Sequence, residues 1–580
     1  MTTTELARVP RPLPANPRLL LAGVFGPFGV DDAFGRRDNV MELFHNQVTK
    51  AQGLASFRYH HRSFGLYFLA ENVDADVTVL DFPSRRRFER EVARGQYDVI
   101  GISFIAPNFL KAREMARIVR RRSPRSIILL GGHGAAIEGI EREIDCDHVV
   151  RGEGIRWLRG FLGQDPDAPI RHPVLPSTER QTIFGIPVPG PTSGLLVPGV
   201  GCVNACKFCS TSHFFGKSYT PFLGTGAEVF AAACSVGDAR GSDDFFVMDE
   251  NFLKDRARAV ELLRLQEQSG RFFNLQVFSS AEAVTALSVE QLVRLGIEFV
   301  WIGVESSSEE GNFEKNAGID PRPLIRELRD HGVHVLASGI LCQEHHTPTN
   351  LQREIDFLVG LEADFVQFML LTPLPTTRLY REHEARGLLR RDLGYEDWHG
   401  QRHLAYRHPH FADGEPGAWL DRAFAEEYRV NSSSMYRVLE TAWRGYQTLR
   451  AAGRDDPCWR ARTEYRRRKV VAWSPMLDVI ERFSVNELER VRVRALRAAI
   501  EAAVPETTTL YARARNAGAL ALARVASLRR RWFDDRIQPR TICTRYPAGR
   551  SAVTASSAPA RFRLPVASVP DLPVAACAAD

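Results

Sequence analysis

Short apolar runs alternate with amphipathic stretches from Arg18 onward, and their spacing predicts two successive β/α series followed by a helical region. In the first series Leu19–Val24, Asp76–Leu80, Val99–Ser103, Ile127–Leu130 and His148–Val150 read as strands. Helical periodicity separates them near Phe64–Asn72, Phe88–Ala93, Phe109–Arg121 and Ile155–Leu162. This alternation predicts an α/β unit over residues 18–163, a doubly wound, flavodoxin-like parallel sheet. Ligands of such sheets bind beyond the carboxyl ends of the strands. Residues 164–193 carry many Pro and polar positions and read as a linker.

A second series follows over 194–380, with strands expected at 195–199, 245–248, 275–278, 299–304, 335–340 and 365–371. Helical patterns at 226–235, 255–268, 289–295, 322–331 and 350–361 intervene. Six such units predict a partial (β/α)6 barrel, whose catalytic groups would sit on the loops after the strands. The alternation stops beyond Tyr380, and residues 381–533 are mainly helical in pattern. Within them Tyr511–Trp532 is an arginine-rich helix with Leu520, Leu522, Val525 and Leu528; a solvated surface helix is the expectation, and peripheral contact with an anionic membrane the alternative. Residues 1–17 and 534–580, rich in Ala, Pro, Ser or Thr without periodicity, are expected to be disordered termini.

Composition adds exclusions. A chain of 580 residues has room for roughly two to four domains. The net charge of +6 is small for that length, and no RNP, basic-zipper or paired Cys/His finger pattern occurs, so no nucleic-acid partner is expected. Nine cysteines are too few for a secreted disulfide framework, and no apolar run reaches bilayer-spanning length, which together predict a cytoplasmic location.

Three of those cysteines fall in one loop, Gly201-Cys202-Val203-Asn204-Ala205-Cys206-Lys207-Phe208-Cys209-Ser210. At this spacing the thiolates can share one metal centre. Three ligands on a cubane cluster leave one iron open to substrate. His213 would instead complete a closed Cys3His zinc site with Cys202, Cys206 and Cys209. The C-x3-C-x2-C loop resembles the signature of the radical S-adenosylmethionine (SAM) enzymes. That resemblance implies a 4Fe–4S cluster on Cys202, Cys206 and Cys209, whose fourth iron binds SAM and whose electron splits it to a 5′-deoxyadenosyl radical.

Landmarks after the later strands carry the same resemblance. It implies that Asp249, Glu250 and Asn251 grip the ammonium of SAM, and that Ser279 and Ser280 hold its carboxylate or ribose. Glu305, with Ser306, would accept from the ribose hydroxyls, and Phe208 would pack near adenine. In the first unit, Gly101-Ile102-Ser103-Phe104-Ile105 and Gly131-Gly132-His133-Gly134 resemble elements of cobalamin-binding domains, and the run ending Arg151-Gly152-Glu153-Gly154 resembles the close of that domain in cobalamin-dependent radical SAM enzymes. Ser103, Gly131, Gly132, His133 and Glu153 are therefore the expected cobalamin-side residues. The cobalt-ligating Asp-x-His-x-x-Gly element of methionine-synthase-like domains is absent; His60, His61 and His133 stand outside that pattern.

The resemblance implies C-methylation of a small secondary-metabolite or lipid-like substrate, with electrons from a flavodoxin- or ferredoxin-type donor. Oxidative cyclisation or rearrangement with the same cofactors, as in the anaerobic magnesium-protoporphyrin ester cyclase, is the alternative. A non-catalytic metal-binding regulator is the third. Candidate acids or bases are His213, His345, His346, Glu344 and Tyr380.

Overall fold

The computed structural model describes residues 12–26, 34, 48–57, 61–184, 186–190, 192–308, 316, 318–533 and 540–549. Two six-stranded sheets organise them. The first contains β1 (Arg18–Gly23), β2 (Asp76–Asp81), β3 (Val99–Ser103), β4 (Ile127–Gly131) and β5 (His148–Val149). These are parallel, in the flavodoxin-like order β2-β1-β3-β4-β5. Leu19, Leu20, Val99, Ile100 and Ile128 have no exposed surface, because helices cover both faces. Register places Gly23 opposite Ser103 and Ser103 opposite Gly131, so three strand ends form one level edge.

The second sheet runs β6 (Gly194–Leu196), β7 (Asp244–Val247), β8 (Asn274–Ser279), β9 (Ile297–Glu305), β10 (His334–Leu341) and β11 (Phe365–Leu370), parallel and in chain order. Its helices begin where the sequence supplies caps. Thr225 and Glu228 form a reciprocal capping box at the start of Gly226–Arg240, and Gly241 closes that helix at φ 64. Ser288 with Gln291 repeats the box for Val289–Leu295.

β6 ends at Leu196, three residues earlier than the apolar run to Gly199 suggested. Gly199–Gly201 leaves the sheet to pair antiparallel with Tyr219–Pro221, and this pair brackets the cysteine loop. Residues 164–193 do more than connect the two sheets: Leu175 is buried in the cluster that unites Leu19, Leu21 and Leu129 with Leu195, Val197 and Phe246. The two sheets therefore share a core.

Six helices of at least eight residues follow between Glu415 and Phe533. They are held to the amino ends of the second sheet by buried arginines. Arg462 donates to the carbonyls of Phe273 (2.8 Å) and Arg294 (2.9 Å), and Arg437 donates to the Ala363 carbonyl (2.6 Å).

The expected disordered tail contains a strand, β12 (Ile542–Tyr546), which adds antiparallel to the outer edge of β2. Composition concealed it: five residues of alternating character sit between Pro-, Ala- and Ser-rich flanks, and their partner lies far away in sequence. Residues 534–539 and 550–580 of that tail, and residues 1–11, lie outside the described residues.

Candidate functional site

The carboxyl ends of the two sheets face each other across a cavity of about 400 Å³. Gly23, Ser103, Gly131, Gly132 and His133 line it from the first sheet; Gly199–Gly201, Met248 and Glu250 line it from the second. Phe214, Phe215 and Phe222 form an aromatic wall between them, and Phe222 stacks on Phe68 with ring centroids 5.6 Å apart. The cavity thus lies at the switch point of the first sheet, where the chain reverses direction between β1 and β3.

The glycines there have separate reasons. A Cβ on Gly131 would meet nothing within 4 Å, so its backbone faces open space. Gly132 has φ 77, and a Cβ there would lie 2.6 Å from the Phe104 carbonyl oxygen. His133 packs against Phe214 at 4.7 Å between centroids. Its Nδ1 is buried without a hydrogen-bond partner, and burial drives its pKa down to about 4. An apolar slot with an open glycine edge and an orphaned imidazole nitrogen fits an inserted planar or nucleotide-like group. Glu153 lines the same cavity, but its carboxylate is occupied: it caps Gly154–Phe161, accepting from the backbone N–H groups of Ile155 (2.6 Å) and Arg156 (2.9 Å). His61 stacks on Phe246 and faces a different cavity; His60 lies outside the described residues.

Gly201, at the base of the cysteine loop, lines this space, whereas Cys202, Cys206 and Cys209 are not among its lining residues. Ala205 takes the left-handed conformation at φ 54, Cys209 N–H donates to the Cys206 carbonyl (3.0 Å), and Ser212 Oγ donates to the Cys202 carbonyl (2.7 Å). Cys202, Cys206 and Cys209 are half-buried, and none of them is in a disulfide. Burial pushes the Cys209 thiol up to about 12, against a lowering contact from the Ser212 backbone; Glu250, Cys206 and Cys202 raise it further. Thiolates so placed repel one another until a cationic centre sits among them, which is the electrostatic condition an iron–sulfur ligand set meets. Among the described residues no three His, Cys, Asp or Glu side chains converge on a point suited to one metal ion. A four-iron cluster spreads its ligands more widely than a single ion does. His213, the fourth ligand of the zinc alternative, faces the Cys209 carbonyl through Nδ1 (3.0 Å). Phe208 packs against the core of the second sheet.

The other strand-end residues divide by what they touch. Asp249 is buried and fully engaged: Arg258 Nη2 (2.7 Å) and the Tyr219 hydroxyl (2.7 Å) both donate to Oδ2. Its role is to hold the loop rather than to meet a ligand. Glu250 points into the cavity, where desolvation, then the neighbouring Asp249 charge, raise its pKa to about 7. Asn251 ties two strand ends together, accepting from Ser279 Oγ (2.9 Å) and Ser280 N–H (3.0 Å) and donating to Ser280 Oγ (3.1 Å). Glu305 is buried at φ 68, a costly conformation for a side chain of its size. Ser306 donates to Glu354 (3.1 Å).

None of His345, His346, Glu344 and Tyr380 lines the cavity. His346 accepts from Gln343 N–H (3.0 Å), Glu344 pairs with Arg386, and the Tyr380 hydroxyl accepts from Arg391 (3.1 Å). Sequence reasoning missed Arg258, Tyr219 and the Phe214–Phe215 pair. Only the two adjacent aromatics just beyond the cysteines carried a signal, and the ion pair carried none.

Comparison with known proteins supports this division. Residues 53–161 match the B12 binding domain family. An uncharacterized methyltransferase of Pyrococcus horikoshii is 25% identical over 365 residues, which span 56% of this chain and 79% of that protein. Two proteins of Chlorobaculum tepidum also align: bacteriochlorophyllide d C-8(2)-methyltransferase, 23% identical over 52% of this chain and 71% of its own length, and bacteriochlorophyllide d C-12(1)-methyltransferase, 25% identical over 54% and 71%. The chain therefore carries a B12-binding domain at one wall of the cavity, and at about a quarter identity it is similar to proteins named methyltransferases.

Proposed function

We propose that this protein is a cobalamin-dependent radical SAM methyltransferase acting on an unactivated carbon of a small molecule. The reading rests on one observation: the level strand ends Gly23, Ser103 and Gly131 face the loop after β7 and the base of the cysteine loop across a single cavity. When bound, the cluster with SAM supplies a primary carbon radical, and cobalamin supplies the methyl group. Cys202, Cys206 and Cys209 hold the cluster. Gly131, Gly132 and His133 receive the cobalamin. Asn251, Ser279, Ser280 and Glu305 shape the SAM side, and Glu250 holds a proton at its carboxyl near neutral pH. Phe214, Phe215 and Phe222 keep water from the space between the two halves. The names of the relatives favour methylation over oxidative ring closure.

The test uses anaerobically reconstituted protein given hydroxocobalamin, SAM and dithionite. Retention of cobalamin after desalting, with both 5′-deoxyadenosine and S-adenosylhomocysteine formed, is expected. Cys206→Ala is expected to abolish 5′-deoxyadenosine; survival of that product in the variant rules the reading out.

A further inference from the structure

The last long helix, Leu510–Phe533, packs on the helical region through one side only. Ala512, Ala523 and Ala526 are buried, and Arg515 turns inward to the Ala472 carbonyl (2.8 Å). On the opposite side Tyr511, Ala514, Gly518, Ala521, Val525, Leu528 and Trp532 are all exposed. Their spacing of alternating three and four residues puts them on one continuous stripe. Exposure is high for its large members: Tyr511 74%, Val525 56%, Leu528 54% and Trp532 80%. A helix that needed only to be solvated would carry polar residues there.

Charge selects the occupant. Arg513, Arg524 and Arg531 are exposed and follow one edge of the stripe, Arg529 lies on the other, and the helix contains no acidic residue. A second copy of the helix would bring arginine against arginine in either orientation, with small residues at the middle of the seam. Nucleic acid would match the arginines but leave Leu528 and Val525 in water. A bilayer bearing anionic lipid matches both, with the apolar stripe in the acyl boundary, Trp532 at the interface and the arginines among the headgroups. No helix among the described residues is long and apolar enough to cross a membrane, so the contact is peripheral. We infer that Leu510–Phe533 docks this protein flat on an anionic membrane surface through the Tyr511–Trp532 stripe.

Full-length protein is sedimented with vesicles of phosphatidylcholine alone and with phosphatidylglycerol added. Binding is expected only to the anionic vesicles, reversed by high salt and accompanied by a blue shift of tryptophan emission. Replacing Arg513, Arg524 and Arg531 together by Gln is expected to weaken partitioning roughly a hundredfold. Leu528→Asp with Trp532→Ala is expected to abolish it while circular dichroism and melting stay as in the parent, since both positions are exposed. Failure to bind anionic vesicles overturns the inference. So does self-association that Leu528→Asp abolishes, which would assign the stripe to a second copy. Capture of nucleic acid that depends on the arginines but not on Leu528 also overturns it.

Discussion

At the scale of single residues, the candidate site depends on groups that never touch a ligand. Arg258 sits against Asp249 with both side chains almost wholly buried. A buried pair is poor evidence for stability as such, yet removing one partner strands the other charge. Arg258→Met is therefore expected to cost about 3–5 kcal/mol, read as a lowered denaturation midpoint, and to disorder the loop carrying Glu250. His133 gives a pH-dependent prediction. Its imidazole has a pKa near 6.5 in the unfolded chain and about 4 in the fold, so below pH 6.5 the unfolded state binds a proton that the folded state refuses. Stability contributed through this group falls as pH drops from 6.5 toward 4, by about 2 kcal/mol at pH 5. In cofactor-free protein His133→Phe is expected to lose less stability between pH 7 and pH 5 than the parent; an identical pH slope would show the imidazole to be solvated. None of this is legible in the sequence. Nine positions separate Asp249 from Arg258, and only the path of the following helix brings them together.

At the scale of elements, the sequence was most legible where strands are buried on both faces. Leu19–Val24, Val99–Ser103 and Ile127–Leu130 are unbroken apolar runs because a covered parallel sheet has no polar side. Each became a strand within a residue or so of its expected bounds. The signal failed where pairing depended on an available edge. Gly199–Gly201 pairs because Tyr219–Pro221 returns beside it, and β12 pairs because β2 has a free flank. At the site, the cysteines and the glycine turn were readable as motifs, whereas the occupation of Asp249 and Glu153 by protein partners was not. β12 also makes a prediction at this scale. Thr544 stands opposite Val79 in the strand interior, so Thr544→Pro removes ladder hydrogen bonds. A loss of about 1–2 kcal/mol is expected, with faster amide exchange across Val77–Leu80; unchanged exchange there would mean that the pairing does not persist in solution.

At the scale of the whole molecule, the cavity exists because two parallel sheets present their carboxyl edges to each other and share a core beneath. The helical region fixes the second sheet from the opposite end, and Arg462 does much of that fixing by satisfying backbone carbonyls of Phe273 and Arg294 at once. Arg462→Met removes the guanidinium donors from both carbonyls and leaves that of Arg294 with the Cys458 thiol as its side-chain donor. It is expected to lower stability by about 3 kcal/mol without changing the residues around the cysteine loop, so the melting midpoint should fall while cluster reconstitution survives. Loss of the cluster in a folded variant would show that the two ends of the sheet are coupled.

The strand at Ile542–Tyr546 has a consequence in time as well as in space. The first sheet is made early on the ribosome, but the strand that completes its outer edge is translated more than 450 residues after β2. At ordinary rates of synthesis that interval is roughly half a minute or more. Through it the edge of β2 waits with open backbone groups, so the newborn chain relies on chaperone cover, or on the speed of translation itself, to keep other strands from taking the place reserved for its own.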